Sequence, residues 1–270
     1  MEENIKPRIS VLMAIYNCAD TLEEALDSLM AQTYQGFKVI LCDDCSTDNT
    51  YEVAQKYISK YPDKFILIRN EQNMKLPYSL NRCLELADTE YVARMDGDDI
   101  SKPERFEKEI DFLDKNPEYA LVSVPMIRFD EHGIFSNPKN TRQYSPTPKD
   151  FVHGSPFCHA PCMARTEVFK KVKGYNEKIA RGQDYDLWFR IYEAGFKGMN
   201  LDDPLYMMRD DRNATARRTL KSQLINAKTM SKGFRRLKLP FYYQVFALRP
   251  ILVGLLPNFF YTYLHRKKLK

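Results

Sequence analysis

Short apolar runs alternate with amphipathic helical patterns through the first part of the chain. Residues 9–15, 37–42 and 65–68 are continuous apolar runs, as expected of strands that are buried on both faces. Residues 20–30 and 78–87 carry apolar side chains at helical spacing. Strands that alternate with helices of this length predict an α/β fold with a mostly parallel, doubly wound sheet.

The pattern becomes less regular in the second part of the chain. The sequence predicts a helix over residues 103–115, with Pro103 in its first turn, and a strand over residues 120–124. Residues 137–156 are rich in Pro, Asn, Ser and Thr, which is typical of a long surface loop or of a lid over an active site. A further helix is predicted to begin near Asp184.

The length of the chain fits one main domain with an appendage. Its 270 residues are enough to bury a full core. We expect a domain over residues 1–215, formed by halves at about 1–100 and 101–215, and a C-terminal extension over residues 216–270.

The cysteines and the N-terminal residues bear on the cellular compartment in which the chain is expected. Six cysteines accompany a polar N-terminus that lacks the pattern of a secretory leader, so we expect reduced thiols and a cytoplasmic chain. Cys42 and Cys45 have the spacing of half a zinc site. Zinc is disfavoured, because no second half with regular ligand spacing accompanies them and Cys42 belongs to an apolar strand.

Charge is divided unevenly along the chain, whose net charge is +5. Residues 209–270 contain fifteen Lys and Arg against two Asp, so the body is acidic and the tail is strongly basic. In the tail, basic clusters flank an apolar, aromatic stretch at residues 239–264, which Arg249, Pro250 and Pro257 interrupt.

Basic clusters on both sides of this stretch favour a basic, amphipathic and helical extension that lies on the anionic inner face of a membrane. A spanning helix is disfavoured, because its positive excess is expected on one side only. Packing against the body or against a second subunit in a homodimer remains the alternative. Nucleic acid is disfavoured, because the aromatic residues form a block and do not alternate with the basic ones.

A carboxylate-rich turn follows the predicted strand at residues 91–93. Asp96 and Asp98 flank Gly97, and both can bind one hard cation while leaving other positions free for phosphate oxygens. Such a site suits a diphosphate. The alternative is a solvated acidic turn that caps the next helix.

Other polar residues are predicted to lie close to this turn. Tyr16, Asp44 and Asp96 each follow a predicted strand, and ligands of such sheets bind beyond the carboxyl ends of the strands. Asp184 lies at the start of a predicted helix, where it either projects into a cleft or only caps the helix.

Several segments, in this order, resemble the inverting family 2 glycosyltransferases of the GT-A fold, which include bacterial enzymes of surface-polysaccharide synthesis. The resemblance runs from about residue 9 to residue 212. It rests on residues 11–17, 43–48, Asn73 with 79–81, 96–99 with 103–105, 159–163 and 182–184.

The resemblance implies a role for most of the polar residues above. Asp184 resembles the catalytic base. Asp96 and Asp98 resemble the acidic pair that handles ribose, diphosphate and a divalent Mn²⁺ or Mg²⁺ ion. The nucleotide-binding residues that it implies, for a uridine nucleotide, are Ala14, Tyr16, Asp44, Asn81 and Asp96.

The chain departs from the family pattern at four positions. Gln183 stands where a Glu is usual, and Cys45 and Lys75 stand where many members have Gly. Asp211 replaces a histidine that binds metal in several members, so it is either a metal ligand or a surface residue.

The acceptor side of the site is less defined by the sequence. His159, Gln183 and Trp188 are its candidate residues. For Trp188 the two interpretations are a sugar platform and a core residue, of which we favour the core.

These features predict a metal-dependent inverting transferase that moves a sugar from a UDP-sugar to a hydroxyl of a saccharide acceptor. The basic tail indicates an enzyme peripheral to the inner face of the cell membrane, and hence a polyprenyl-linked acceptor in capsule or cell-surface polysaccharide synthesis. Sugar transfer to polyprenyl phosphate is one alternative. A non-catalytic nucleotide-sugar-binding module, suggested by Gln183, is another.

Overall fold

A computed structural model of the chain describes residues 6–139, 141–179, 181–210 and 219–255. Its first part alternates strands and helices as predicted. The elements are β1 (Ile9–Ile15), α1 (Ala19–Met30), β2 (Phe37–Asp43), α2 (Thr50–Lys60), β3 (Phe65–Arg69), α3 (Leu76–Glu85) and β4 (Tyr91–Arg94).

The second part contains shorter strands. It comprises β5 (Ile100–Ser101), α4 (Arg105–Lys115), β6 (Leu121–Ser123), β7 (Met126–Asp130), β8 (Gly133–Ser136), a 3₁₀ helix (Asp150–His153), β9 (Met163–Arg165), α5 (Thr166–Val172), α6 (Gln183–Glu193), β10 (Gly198–Asn200), β11 (Tyr206–Arg209), α7 (Leu220–Arg236), a second 3₁₀ helix (Phe241–Leu248) and α8 (Arg249–Leu255). Helix α4 begins two residues later than predicted, because Pro103 belongs to the turn before it.

The central sheet has seven strands in the order β10-β6-β9-β4-β1-β2-β3. All neighbours pair in parallel except β9, which is antiparallel to both β4 and β6. This confirms the predicted α/β fold with a mostly parallel sheet. The carboxyl ends of β1, β2 and β4 therefore lie side by side at one edge of the sheet.

Two apolar layers cover the two faces of this sheet. Alternate residues of β1, such as Val11 and Met13, join one buried cluster, whereas Leu12 joins the other. Helices α1 and α4 contribute to the first cluster, and α3 and α6 contribute to the second. The continuous apolar run of β1 thus reflects burial on both faces.

A second, four-stranded sheet has the order β5-β11-β7-β8. Strand β5 follows the acidic turn directly and pairs antiparallel with β11, with Ser101 opposite Tyr206. This pairing brings a strand from more than a hundred residues later in the chain against the acidic turn.

Part of the C-terminal extension packs against the body. The backbone of Gly233 in α7 approaches Phe189 of α6 so closely that a Cβ at this position would lie 2.2 Å from the ring. Phe234 and Met230 of α7 are buried with it. Within the described ranges, no helix is long and apolar enough to cross a membrane.

Candidate active site

The acidic turn brings three carboxylates together. Asp96, Asp98 and Asp99 each offer an oxygen, and these oxygens all lie within 4.8 Å of one another. The sequence predicted Asp96 and Asp98 as a pair, and the structure adds Asp99. A set of hard oxygen ligands of this kind fits Mn²⁺ or Mg²⁺.

Tyr206 fixes the shape of this turn from β11. Its hydroxyl donates to Asp99 Oδ2 at 2.8 Å and accepts from the backbone N–H of Asp96 at 3.2 Å. The backbone N–H of Arg209 donates to the other Asp99 oxygen at 2.8 Å. Because Tyr206 is fully buried, these bonds hold the turn in one conformation.

The acidic turn has no room for a side chain at residue 97, which is glycine. A Cβ at Gly97 would lie 2.8 Å from Cys18 Sγ and 3.1 Å from Ile15 Cγ2. The φ of Gly97 is not positive, so its backbone conformation does not require glycine. The absent side chain instead lets the acidic turn pack directly on the end of β1.

Two buried arginines, Arg94 and Arg105, support the acidic turn. Arg94 ends β4, is 5% exposed and forms an ion pair with Asp96. Its carbonyl oxygen accepts a hydrogen bond from Arg105 Nη2 at 2.9 Å. Arg105 in turn pairs with Glu109, and burial raises the pKa of Glu109 to about 7.

Ionisation of Asp98 and Asp99 is disfavoured in the acidic turn. Loss of surrounding water, followed by the charge of Asp96, raises the pKa of Asp98. The same two causes, with Asp98 as a further neighbour, raise the pKa of Asp99 to about 8. A divalent cation would relieve this repulsion, and it would compete with protons for the carboxylates.

A cleft of about 390 Å³ opens in front of the turn. Predicted and unpredicted residues line it together, among them Ala14, Tyr16, Asn17, Asp48, Asp96, Asp98 and Arg209. The Tyr16 ring is 47% exposed and available for stacking. The cleft therefore has an aromatic side and an acidic end, which suits a base and a metal-bound diphosphate.

Arg209 is a cationic residue of the cleft that the sequence analysis did not identify. Its Nε donates to the carbonyl oxygen of Asp98 at 3.0 Å, its guanidinium pairs with Glu24, and it stacks on Phe129 at 4.5 Å. Its position directly after the apolar residues 206–208 of β11 was the available signal.

Asp44 lies outside the residues that line this cleft. It is 4% exposed, and it accepts hydrogen bonds from Asn70 Nδ2 at 2.7 Å and from the backbone N–H groups of Met74 and Lys75 at 2.7 and 2.9 Å. Three bonds leave one acceptor site of the carboxylate unused. In this structure Asp44 therefore shapes the loop before α3.

The backbone of Lys75 is strained in that loop. Its φ of 75° and ψ of 161° lie in a region that side-chain-bearing residues rarely adopt. Cys45, the other position at which the family often has glycine, also has a positive φ, of 61°. The two departures from the family pattern thus fall on backbone conformations that glycine adopts without strain.

Replacing Lys75 with glycine is expected to stabilise the fold by about 1 kcal/mol, because relief of strain exceeds the greater entropy of an unfolded glycine. The bond from its N–H to Asp44 is retained. Chemical denaturation measures the effect, with Lys56→Gly in the exposed face of α2 as the control, which is expected to destabilise by about 1 kcal/mol. Equal destabilisation by both variants would contradict the argument.

The structure gives Asn81 partners other than a nucleotide. Its Nδ2 donates to the carbonyl oxygen of Tyr175 at 3.0 Å and to Glu177 at 2.7 Å, and its Oδ1 accepts from the N–H of Tyr175 at 2.7 Å. Both ends of the amide are therefore engaged. These bonds join α3 to the segment after α5, and a nucleotide contact of Asn81 stays a prediction.

Asp184 lies in the first turn of α6, as predicted. Gly182 precedes the helix with a φ of 73°, and a Cβ there would meet Asn226 of α7 at 2.9 Å. Burial raises the pKa of Asp184, although the charge of Arg94 and backbone N–H groups act in the opposite direction. The Ser155 hydroxyl lies 3.4 Å from its Oδ2.

His159 lies near Arg94 and packs against Trp188 of α6. Its Nε2 is 3.0 Å from the Tyr175 hydroxyl. Burial, followed by the charge of Arg94, lowers the pKa of His159 well below its usual range, so the ring is neutral at pH 7. A neutral ring can shape the pocket for an acceptor without adding charge.

Trp188 is a core residue. It is fully buried, and its ring packs edge-on against Phe157 at 5.5 Å and His159 at 5.9 Å. This burial agrees with the core interpretation that we favoured, because a fully buried ring cannot stack on a sugar. Gln183 is half-buried beside Asp184 at the first position of α6.

Two further predictions concern other metal ligands. Asp211 lies outside the described residues. Cys42 is buried in β2 with its thiol 3.5 Å from Asn70 Oδ1, whereas the Cys45 thiol points to the carbonyl oxygen of Glu71 at 3.6 Å. The two thiols therefore have different partners, and both are free cysteines, as are the other four.

Comparisons with known proteins give matches in sequence and in fold. Residues 10–173 match the sequence model of glycosyl transferase family 2. The glycosyltransferase EpsE of Bacillus subtilis is 39% identical over 98% of this chain and 96% of its own length. The amylovoran biosynthesis glycosyltransferase AmsE of Erwinia amylovora is 33% identical over 74% of this chain and 75% of its own. WfaP of Escherichia coli, named as a UDP-Glc:α-D-GlcNAc-diphosphoundecaprenol β-1,3-glucosyltransferase, is 28% identical over 71% of this chain and 73% of its own length.

Solved structures share the fold at lower sequence identity. S. aureus TarS in complex with UDP superposes with a TM-score of 0.69 over 92% of this chain and 70% of its own, at 19% identity. The mannosyltransferase PcManGT of Pyrobaculum calidifontis, in complex with GDP-Man and Mn²⁺, superposes with a TM-score of 0.66 at 18% identity. The superposition covers 97% of this chain and 74% of that structure's chain.

Proposed function

This chain belongs to glycosyl transferase family 2 and is a glycosyltransferase, and we propose that it transfers a sugar from a UDP-sugar to a saccharide hydroxyl with inversion. One observation carries the proposal. The carboxylates of Asp96, Asp98 and Asp99 converge at the carboxyl end of β4, in the same cleft as the exposed ring of Tyr16.

The donor side of the proposal rests on this cleft. Tyr16 stacks on the base, and Ala14 leaves room for it at the end of β1. Arg209 faces the negative charge of the diphosphate from the same cleft. A uridine nucleotide is favoured because UDP is the nucleotide of the TarS complex and UDP-Glc is the donor of WfaP.

A divalent metal, Mn²⁺ or Mg²⁺, completes this site in the proposal. Asp98 and Asp96 hold it, and Asp99 adds a third oxygen from the buried side. When bound, the metal stabilises the negative charge that grows on the departing diphosphate. Burial and the charge of Asp96 raise the pKa of Asp98 and Asp99, and such an ion would compensate the charge of this donor set.

The transfer itself uses Asp184 as the base. The acceptor hydroxyl forms a bond to the anomeric carbon and gives its proton to Asp184. The bond from that carbon to the diphosphate breaks, and its electron pair leaves with the nucleotide. Attack from the face opposite the leaving group inverts the configuration. Neutral His159 and half-buried Gln183 border the acceptor position.

The acceptor in this proposal is a polyprenyl-linked oligosaccharide in cell-surface polysaccharide synthesis, at the inner face of the cell membrane. The names of AmsE and WfaP support this class, because the first is a polysaccharide biosynthesis enzyme and the second acts on a sugar diphospholipid. The proposal divides the chain into a transferase domain over residues 1–215 and an extension over residues 216–270.

A panel of nucleotides tests the donor side. UDP and one UDP-sugar, with Mn²⁺, are expected to raise the melting temperature by several degrees, since about 100-fold excess over Kd adds about 2.7 kcal/mol to the stability. GDP, ADP and UDP without metal are the controls. Equal stabilisation by GDP would overturn uridine selectivity, and stabilisation without metal would overturn the metal site. Binding with no transfer to any lipid-linked saccharide would favour a nucleotide-sugar-binding module.

A further inference from the structure

The C-terminal helices expose an unusual amount of apolar surface. In the 3₁₀ helix Phe241–Leu248, Phe241 is 88% exposed, Tyr242 66% and Val245 62%. Leu252 and Leu255 of α8 are 64% and 66% exposed. The buried side of α7 faces α6, so these residues lie on the outer side of the C-terminal helices. An apolar surface of this size needs a partner.

This surface is also exclusively cationic. The described residues 219–255 contain seven Lys and Arg and no Asp or Glu. Lys228, Lys232 and Arg235 are exposed along one face of α7, and they line a groove of about 710 Å³ together with Leu224, Phe241, Val245 and Ile251. Cations thus border the apolar groove on its α7 side.

We propose that this surface, formed by α7, the 3₁₀ helix Phe241–Leu248 and α8, is a docking site for an anionic lipid bilayer. The exposed aromatic and aliphatic side chains enter the interface, and the cations of α7 contact lipid phosphates. Charge decides the partner. A second copy of the chain would bring Lys228, Lys232 and Arg235 against the same three cations, whereas an anionic bilayer neutralises both the charge and the apolar exposure.

Docking in this way orients the catalytic base. Helix α7 runs against α6, with Asn226 beside Gly182 and Gly233 against Phe189. Gly182 directly precedes the helix that carries Asp184. The docked surface therefore keeps α6, which carries Asp184, at a fixed distance from the bilayer. A saccharide attached to a membrane lipid can reach Asp184 at that distance. This orientation rests on the proposed function, whereas the binding to lipid does not.

Cosedimentation with vesicles tests the docking surface on the full chain. We expect binding to phosphatidylcholine vesicles that contain about one third phosphatidylglycerol, and little binding to phosphatidylcholine alone. The triple variant Lys228→Gln, Lys232→Gln, Arg235→Gln is expected to weaken binding on the order of 100-fold, at about fivefold per cation. The matched control replaces three exposed lysines elsewhere, Lys56→Gln, Lys170→Gln and Lys171→Gln, and is expected to bind like the wild type.

A second variant set tests the apolar part. Phe241→Ser with Tyr242→Ser and Val245→Ser is expected to lower binding at least about tenfold, whereas Ile134→Ser, at a site 57% exposed on β8, has no effect. All variants are first checked for wild-type melting temperature. Equal binding to neutral vesicles, or unchanged binding by both triple variants, would overturn the proposal. Dimers in solution that these variants convert to monomers would assign the surface to self-association instead.

The two proposals fail separately. Lipid binding is measured without donor or acceptor, so its absence leaves the transferase proposal intact. Loss of nucleotide binding in Asp98 variants with normal vesicle binding leaves the docking surface intact. Binding that remains with both triple variants shows that another part of the chain carries it.

Discussion

Asp184→Asn is expected to lower kcat by about 100- to 10,000-fold, while affinity for the nucleotide-sugar changes less than about twofold. The substitution keeps the shape of the side chain but removes the group that accepts the acceptor proton. Because Asp184 lies on α6 and does not line the nucleotide cleft, donor binding is retained. Release of UDP on addition of membranes containing the lipid-linked acceptor measures turnover, and calorimetry with UDP and Mn²⁺ measures affinity.

The pH profile gives a second readout for Asp184. Burial raises its pKa above the ordinary value, and the carboxylate form is the active base. Activity is therefore complete above the raised pKa and is lost as the pH falls through it. The acid limb should have a slope of one, and it should begin at a higher pH than for an exposed aspartate.

Stability separates a catalytic role of Asp184 from a structural one. A carboxylate with a raised folded pKa is destabilising when ionised, so Asp184→Asn should not lower the melting temperature at pH 8. The control is Asp186→Asn on the same helix, which breaks a buried ion pair with Arg190. It is expected to lower the melting temperature and leave kcat per folded molecule unchanged. Loss of turnover in both variants alike would argue against Asp184 as the base.

Asp98→Asn is expected to reduce Mn²⁺-dependent affinity for UDP by at least about 100-fold. The amide occupies the same volume but supplies no negative charge to the metal or to the cluster with Asp96 and Asp99. Affinity for uridine, which has no phosphate, should be unaffected, because Tyr16 and Ala14 are unchanged. Calorimetry with UDP and with uridine, each with and without Mn²⁺, measures the difference.

Asp63→Asn, an exposed aspartate outside the cleft, is the matched control for this prediction. If Asp98→Asn binds UDP and Mn²⁺ as tightly as the control does, the acidic turn is a structural feature and not a metal site. The fold is expected to survive the substitution, because the buried carboxylate that binds the Tyr206 hydroxyl belongs to Asp99 and is unchanged.

The hydrogen bonds from Tyr206 and Arg209 to Asp99 show why the sequence alone identified only two of the three carboxylates in the acidic turn. Asp96 and Asp98 lie two residues apart in the chain and could be predicted as a pair. Asp99 became part of the site through Tyr206 and Arg209, which are more than a hundred residues away and reach it only because β5 pairs with β11. A single sequence does not encode that pairing in any short pattern.

Asn81 and Trp188 show what spacing along a helix does not determine. Helix geometry turns Asn81 towards the backbone of Tyr175, and it turns Trp188 into the apolar layer between Phe157 and His159. Which face of a helix meets the cleft depends on how the helix packs, and spacing alone did not decide it for these two residues.

The sequence by itself determined the alternation of strands and helices, the mostly parallel sheet, and the acidic and aromatic residues at its carboxyl edge. These follow from local periodicity and from the rule that parallel strands end at one side. Only the tertiary structure decided that Asp99, Tyr206 and Arg209 complete the acidic turn, and that α7 packs on the helix of Asp184. The physical reason is that these contacts join distant segments, whose approach is set by the packing of whole elements.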